Sequence, residues 1–124
     1  MKSVKLDWLR LNRGKSAEQL ALRFLQKQGY HLVQQNYRTR RGEIDLIVEN
    51  ETMLLVVEVR YRSNPNYGLA AESVDIHKQG RIIQCAEQYF ARHPPDKQVR
   101  LDVITVTPSH PEPEVSWIQD AFRA

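Results

Sequence analysis

Two neighbouring apolar runs each carry an acid where the pattern reserves a place for a buried side chain. The first is Gly42-Glu43-Ile44-Asp45-Leu46-Ile47-Val48, the second Met53-Leu54-Leu55-Val56-Val57-Glu58-Val59-Arg60. Both are rich in aliphatic and β-branched residues and have the length of strands. The polar stretch Glu49-Asn50-Glu51-Thr52 between them predicts a hairpin turn. With Val48 facing Met53, Glu43 lies opposite Glu58, and Asp45 is the diagonal neighbour of Glu58 on the same face. Ile44, Leu46, Val48, Met53, Leu55, Val57 and Val59 make the other face wholly apolar. The acidic face is also apolar toward the turn, at Ile47, Leu54 and Val56. The hairpin is therefore expected to be buried on both sides, with Glu43, Asp45, Glu58 and Arg60 clustered at one end. A buried carboxylate is costly unless it is paired or holds a metal. That conflict between pattern and chemistry marks the candidate site.

The rest of the chain follows helical and strand periods in turn. A helix is predicted from Ser16, where Ser16 and Gln19 form a capping box, to a stop at Gly29. Ala17, Leu20, Ala21, Phe24 and Leu25 form its apolar stripe, and Glu18 borders that stripe. Glu18 can lean toward the sheet, although the helix dipole alone also favours an acid in the first turn. A strand from Tyr30 to Tyr37 leads into the basic turn Arg38-Thr39-Arg40-Arg41. Tyr61 to Tyr67 reads as a polar loop. A second helix is predicted from Ser73 or Asp75 to His93, with Ile76, Ile82, Ile83, Ala86 and Phe90 on its core side. Gln98 to Thr107 reads as a strand, Pro108 to Pro113 as a loop, and Val115 to Ile118 as a short last strand. The span from Glu58 to Leu101 is a strand-helix-strand unit, which predicts a parallel, right-handed crossover. The order is α-β-β-β-α-β with a tail, an α/β fold.

A chain of 124 residues fits one domain at 16–124 behind a basic arm at 1–15, which holds Lys2, Lys5, Arg10, Arg13 and Lys15. The net charge of +3 fits an anionic partner without establishing one. Cys85 is the only cysteine, so no intramolecular disulfide can form, and it reads as an inert core thiol. No run has transmembrane length and no signal-peptide core is visible. The expectation is a reducing cytoplasm and no membrane partner. The four histidines lack zinc-like spacing. No Gly-x-Ser-x-Gly elbow and no phosphate-cradling Gly-rich loop occurs.

Carboxylates beside a cation at a strand end are the parts of a divalent-metal phosphodiesterase. Mg²⁺ takes oxygen ligands and keeps several waters, so one or two acids suffice. Arg38, Arg40 and Arg41 precede the acids, and with Arg62 they offer phosphate contacts beside them. The plainer reading makes Asp45 and Glu58 structural acids paired with Arg60 or Arg100. Asp102 reads as a strand residue paired with an arginine. Trp8, Trp117 and Phe122 read as cover for the core or an interface.

On these residues the chain resembles the YraN-like family, small bacterial proteins predicted to be nucleases and similar to archaeal Holliday-junction resolvases. The resemblance covers roughly residues 14 to 122. It rests on Glu18 with Ala21, Gly42-Glu43-Ile44-Asp45-Leu46-Ile47, Glu58-Val59-Arg60-Tyr61-Arg62, Lys78, and Arg100-Leu101-Asp102-Val103. It implies a restriction-endonuclease-like α-β-β-β-α-β core, a mixed central sheet flanked by helices. It also implies an Mg²⁺- or Mn²⁺-dependent endonuclease acting on branched or structured DNA, and a homodimer. By position, Asp45 and Glu58 would be the metal ligands and Glu18 the helix acid that reaches the site. Arg60 departs from the superfamily pattern, which has Lys there. Arginine keeps the charge but stays protonated, so it cannot act as a base. Either Arg60 acts electrostatically, or Lys78 substitutes from the second helix, or cleavage is lost and a nucleic-acid-binding module remains. A plain protein-interaction scaffold is the third class of reading.

Overall fold

The computed structural model describes residues 13–62 and 74–123. Helix α1 (Arg13–Lys27) precedes β1 (His31–Thr39), β2 (Gly42–Glu49) and β3 (Met53–Tyr61). Helix α2 (Ile76–Arg92) is followed by β4 (Gln98–Thr107) and β5 (Glu114–Ile118). The strands form one sheet in the order β1-β2-β3-β4-β5. Neighbours run antiparallel except β3 and β4, which are parallel, as the strand-helix-strand pattern predicts. This is the α-β-β-β-α-β arrangement of a restriction-endonuclease-like core, with β5 added at one edge. No described helix is long and apolar enough to cross a membrane.

Each face of the sheet carries its own core. Ala17, Ala21 and Leu25 of α1 pack on Leu46, Val48, Leu55, Val57, Ile104 and Val106. Ile82, Cys85, Ala86 and Tyr89 of α2 pack on Ile47, Leu54, Val56 and Val103. Successive β3 residues therefore alternate between two buried surfaces, which explains why Leu54 to Val57 reads as an unbroken apolar run. Burying one such side chain contributes about 1.5–3 kcal/mol, so these two layers dominate the stability.

Helix α1 ends as the sequence predicts. Gly29 adopts φ 94°, and Tyr30 N–H donates to Leu25 O while Gly29 N–H donates to Gln26 O, both at 3.0 Å. This is a Schellman ending, which needs a left-handed residue at Gly29. A Cβ there would meet nothing within 4 Å. Gly29→Ala is therefore expected to destabilise the fold by about 1 kcal/mol through backbone strain alone, read as a lower urea midpoint at unchanged slope.

Two helix expectations need correction. Helix α1 begins at Arg13, so Ser16 lies inside it and is buried rather than capping its start. Helix α2 starts at Ile76, capped by Asp75, whose carboxylate accepts Lys78 N–H at 2.8 Å. Ile76 is exposed instead of joining the core stripe, because Val74 takes the buried position before the cap. Trp117 and Phe122 cover the core as expected: the Trp117 ring meets Phe24 and Tyr30 edge-on, at centroid distances of 5.6 and 6.2 Å. Residues 1–12 of the predicted basic arm, including Trp8, lie outside the described residues. So do Ser73 and residues 63–67 of the predicted polar loop.

Candidate metal and phosphate site

The hairpin turn sets how the two acids meet. Asn50 Oδ1 accepts from Thr52 N–H at 3.0 Å and Met53 N–H at 2.8 Å, while Asn50 N–H donates to Met53 O. Asn50 and Met53 thereby become the last pair, and only Glu51 and Thr52 form the turn. The expected register is corrected by two residues: Val48 pairs with Leu55 rather than Met53. A two-residue shift keeps every side chain on its face. Continued one step past Leu46 and Val57, it brings Asp45 across from Glu58 rather than diagonal to it.

The ladder ends at that step. Asp45 Oδ2 accepts the Val59 N–H at 2.8 Å, where a β2 carbonyl would otherwise serve. Ile44 packs in the α2-side core with Ile47, while Leu46 and Val48 pack in the other. Strict alternation therefore breaks at Asp45. Glu58 stays on the α2 side with Leu54 and Val56 and is buried, at 3% exposure.

Burial and the neighbouring Glu58 charge push the Asp45 carboxyl up to about 8. The hydrogen bond it shares with Glu58 and the nearby Glu18 charge raise it further, against the Val59 N–H, which favours the ion. Two carboxyls in one half-buried place cannot both ionise cheaply, so Asp45 holds the proton. Glu18 is raised in the same direction, first by burial and then by Glu43 and Glu58. The side chains of Asn36 and Gln35 hydrogen-bond it and act the other way. Asn36 reaches it from a strained position, φ 53°, close to a register break between Leu32 and Gln34.

Helix α2 supplies the cation. Lys78 Nζ lies 2.5 Å from Glu58 Oε2, and Arg60 Nη1 lies 3.9 Å from the same oxygen. Neither contact is aligned as a hydrogen bond, so Oε2 is buried without one among the described residues. The same side of α2 holds the basic turn. Arg81 Cβ lies 3.3 Å from where a Cβ on Gly42 would sit, Gln84 accepts from Arg41 at 3.3 Å, and Cys85 meets Thr39 at 2.9 Å. Arg40 and Arg41 are thus exposed on the same side of the molecule as the acids. Arg38 forms a surface ion pair with Glu43 at 3.3 Å. Arg62 follows β3 and donates its N–H to Val106 O.

The sequence profile of the uncharacterised protein family UPF0102 matches residues 17–106. The chain belongs to the UPF0102 family. This member is 46% identical over 111 residues to a UPF0102 protein of Halorhodospira halophila, covering 90% of this chain and 87% of that one. It is 43% identical over 111 residues to one of Nitrosomonas europaea, covering 90% and 93%. It is 42% identical over 111 residues to one of Methylococcus capsulatus, covering 90% of each. The matched stretch of this UPF0102 chain holds Glu18, Asp45, Glu58, Arg60 and Lys78.

Asp45 and Glu58 offer a set of donors made only of oxygen. Among the described residues no group of three or more His, Cys, Asp or Glu side chains is gathered closely enough to enclose an ion. Two carboxylates with water and substrate oxygens filling the remaining positions suit Mg²⁺ or Mn²⁺, not a closed zinc site. The unaligned Glu58 Oε2 and the proton held on Asp45 are what an added divalent cation would relieve. The residues fit the ion.

Two features of the site carry no clear mark in the sequence. Thr105 pairs with Arg60 across the parallel ladder and so shares its face. It is 3% exposed, and its hydroxyl has no hydrogen-bond partner among the described residues. Within Val103-Ile104-Thr105-Val106 it reads only as another β-branched strand residue. Asn36 reads as a polar strand residue, and nothing local announces its positive φ. Asp102 resolves as the plainer expectation has it. Its carboxylate takes Arg100 at 2.8 and 2.9 Å, and both Trp117 Nε1 and Asp120 N–H at 2.9 Å. Arg100 therefore belongs to Asp102, not to the acid pair.

Proposed function

We propose that this protein is a metal-dependent endonuclease that cuts branched or structured DNA. The observation that carries the reading is the meeting of two carboxyls, half-buried Asp45 and buried Glu58, with Lys78 and Arg60 turned toward Glu58. Asp45 and Glu58 would hold Mg²⁺ or Mn²⁺, which when bound polarises a phosphoryl oxygen and acidifies a water. Asp45 gives up its proton on taking that role. Glu18, fixed by Asn36 and Gln35, adds negative charge beside the pair. Arg60 offers a permanent cation for the scissile phosphate but cannot accept a proton. Lys78 carries a single charge on a flexible stem from a different element, and stands in for the lysine expected at position 60. Arg40, Arg41 and Arg62 hold flanking phosphates, which gives affinity that falls steeply with salt and reads little sequence.

Lys78 has two opposing effects that separate this reading from a purely structural ion pair. Its ammonium competes with a divalent cation for Glu58, and it stabilises charge at the phosphate. Lys78→Gln is therefore expected to tighten Mn²⁺ binding while slowing cleavage about tenfold or more. Mn²⁺ titration followed by electron paramagnetic resonance, beside a cleavage time course on a four-way junction, measures both. A slower reaction with weaker Mn²⁺ binding would assign Lys78 to site structure alone. Cleavage unaffected by Lys78→Gln would remove it from the machinery.

A further inference from the structure

We infer that the Thr105 hydroxyl belongs to the ion site and positions the divalent cation at Glu58 through one of the cation's waters. The inference rests on the metal reading of Glu58 and adds to it a neutral oxygen from a different strand. Thr105 is 3% exposed, and its Oγ1 has no hydrogen-bond partner among the described residues. A buried hydroxyl left in that state is a net cost to the fold. Its neighbours Val103, Ile104 and Val106 are fully buried aliphatic residues. Valine at position 105 would fill nearly the same space without burying a polar group. Packing alone therefore gives no reason for a threonine there.

The strand register places the hydroxyl. Thr105 pairs with Arg60 across the parallel ladder, and Glu58 pairs with Val103. Val103 packs in the α2-side core, so Thr105, two residues on, faces that same side. Glu58 and Arg60 share the face. Thr105 and Glu58 are therefore diagonal neighbours, about 8 Å apart at the backbone. Among the described residues, Glu58 Oε2 and Thr105 Oγ1 are the two buried side-chain oxygens that lack a hydrogen bond, and the fold sets them side by side. Arg60, directly across from Thr105, brings its Nη1 to 3.9 Å from Glu58 Oε2 and makes no hydrogen bond to the hydroxyl. A hydrated divalent cation answers both oxygens at once. Its charge suits Oε2, and a water on it is a strong donor for Oγ1. With two acids as ligands the ion keeps several waters, and groups of the protein that bind those waters fix where the ion sits.

The test titrates Mn²⁺ into the full chain and reads the free ion by electron paramagnetic resonance, for the wild type, Thr105→Val, Thr105→Ser and Glu58→Gln. Thermal melts of the same proteins in EDTA accompany it. Thr105→Val should weaken Mn²⁺ binding about tenfold, while Thr105→Ser, which keeps the hydroxyl, stays within about threefold of the wild type. In EDTA, Thr105→Val should melt at the wild-type temperature or above it, because it removes a buried hydroxyl that has no partner. A melting temperature in EDTA well below that of the wild type would mean that a trapped water already satisfies the hydroxyl in the metal-free fold, and would overturn the inference. An equal loss of Mn²⁺ affinity in Thr105→Ser and Thr105→Val would assign the effect to packing and overturn it as well. Unchanged affinity in Thr105→Val, with binding lost in Glu58→Gln, would overturn the inference and leave the metal reading standing. Mn²⁺ binding that is absent in the wild type, or indifferent to Glu58→Gln, would end both.

Discussion

Asp45→Asn is expected to abolish metal-dependent cleavage and, in metal-free buffer at pH 8, to make the protein more stable. The two effects share one cause. In the folded chain Asp45 keeps its proton up to about 8, whereas an unfolded aspartate loses it near the ordinary value of 3.8. Between those limits the folded state binds one more proton than the unfolded state, so raising the pH lowers the stability. The contribution is fully present below pH 4, declines through neutrality, and is lost above about pH 8. Asparagine keeps an oxygen for Val59 N–H and offers an N–H to Glu58, as the protonated acid does, but has nothing to ionise. Each unit of separation corresponds to about 1.4 kcal/mol, so several kcal/mol are at stake in principle. Relaxation around a half-buried site reduces this, and a gain of about 2 kcal/mol for the variant at pH 8 is expected. Thermal melts in EDTA at pH 5, 7 and 9 would show the two proteins alike at low pH and separating as pH rises. Parallel pH profiles would mean that Asp45 is ionised in the folded protein, and the account of the acid pair would fail.

Asp102→Asn is expected to do the opposite and cost about 3–5 kcal/mol, the range for removing one partner of a buried ion pair. Asp102 is fully buried and anchors three separate pieces of chain: Arg100 on β4, Trp117 on β5, and the Asp120 backbone beyond it. Arg100 would be left partly buried without its bidentate acceptor, and one amide oxygen cannot serve all four donors. Trp117 also covers Phe24 and Tyr30, so loosening β5 exposes the α1-side core. Urea denaturation at pH 7 measures the loss. A change under 1 kcal/mol would contradict the anchoring role.

The contrast between these two aspartates shows what the sequence can and cannot reveal. Both interrupt apolar strand runs, and pattern alone marks both as conflicts. Asp102 has an arginine two residues away on the same strand face, and its structural partner is legible from that spacing. Glu58 has Arg60 at the same spacing, yet that arginine stays 3.9 Å away, and the meeting of Glu58 with Asp45 is legible only because both lie on a short hairpin. The two acids lie closer than the simplest turn implies because Asn50 caps the turn with its own side chain and moves the register by two. The partners of Glu18 were hidden because they depend on a positive φ at Asn36 and a break in β1, neither of which leaves a periodic trace. The Lys78 contact was legible as an option from the crossover topology, since the helix after β3 must return over the sheet. The exposure of Ile76 was not, because helical periodicity cannot tell when a residue just before the cap has already filled the buried place.

The most direct measurement is cleavage of a labelled four-way junction and of linear duplex in Mg²⁺ or Mn²⁺, with wild type beside Asp45→Asn and Glu58→Gln. Metal-dependent cutting by the wild type alone is the expected result, with both variants still folded and still binding DNA in a salt-sensitive manner. Binding by all three proteins without cleavage by any of them would contradict the nuclease account and leave a nucleic-acid-binding module whose acid pair is structural.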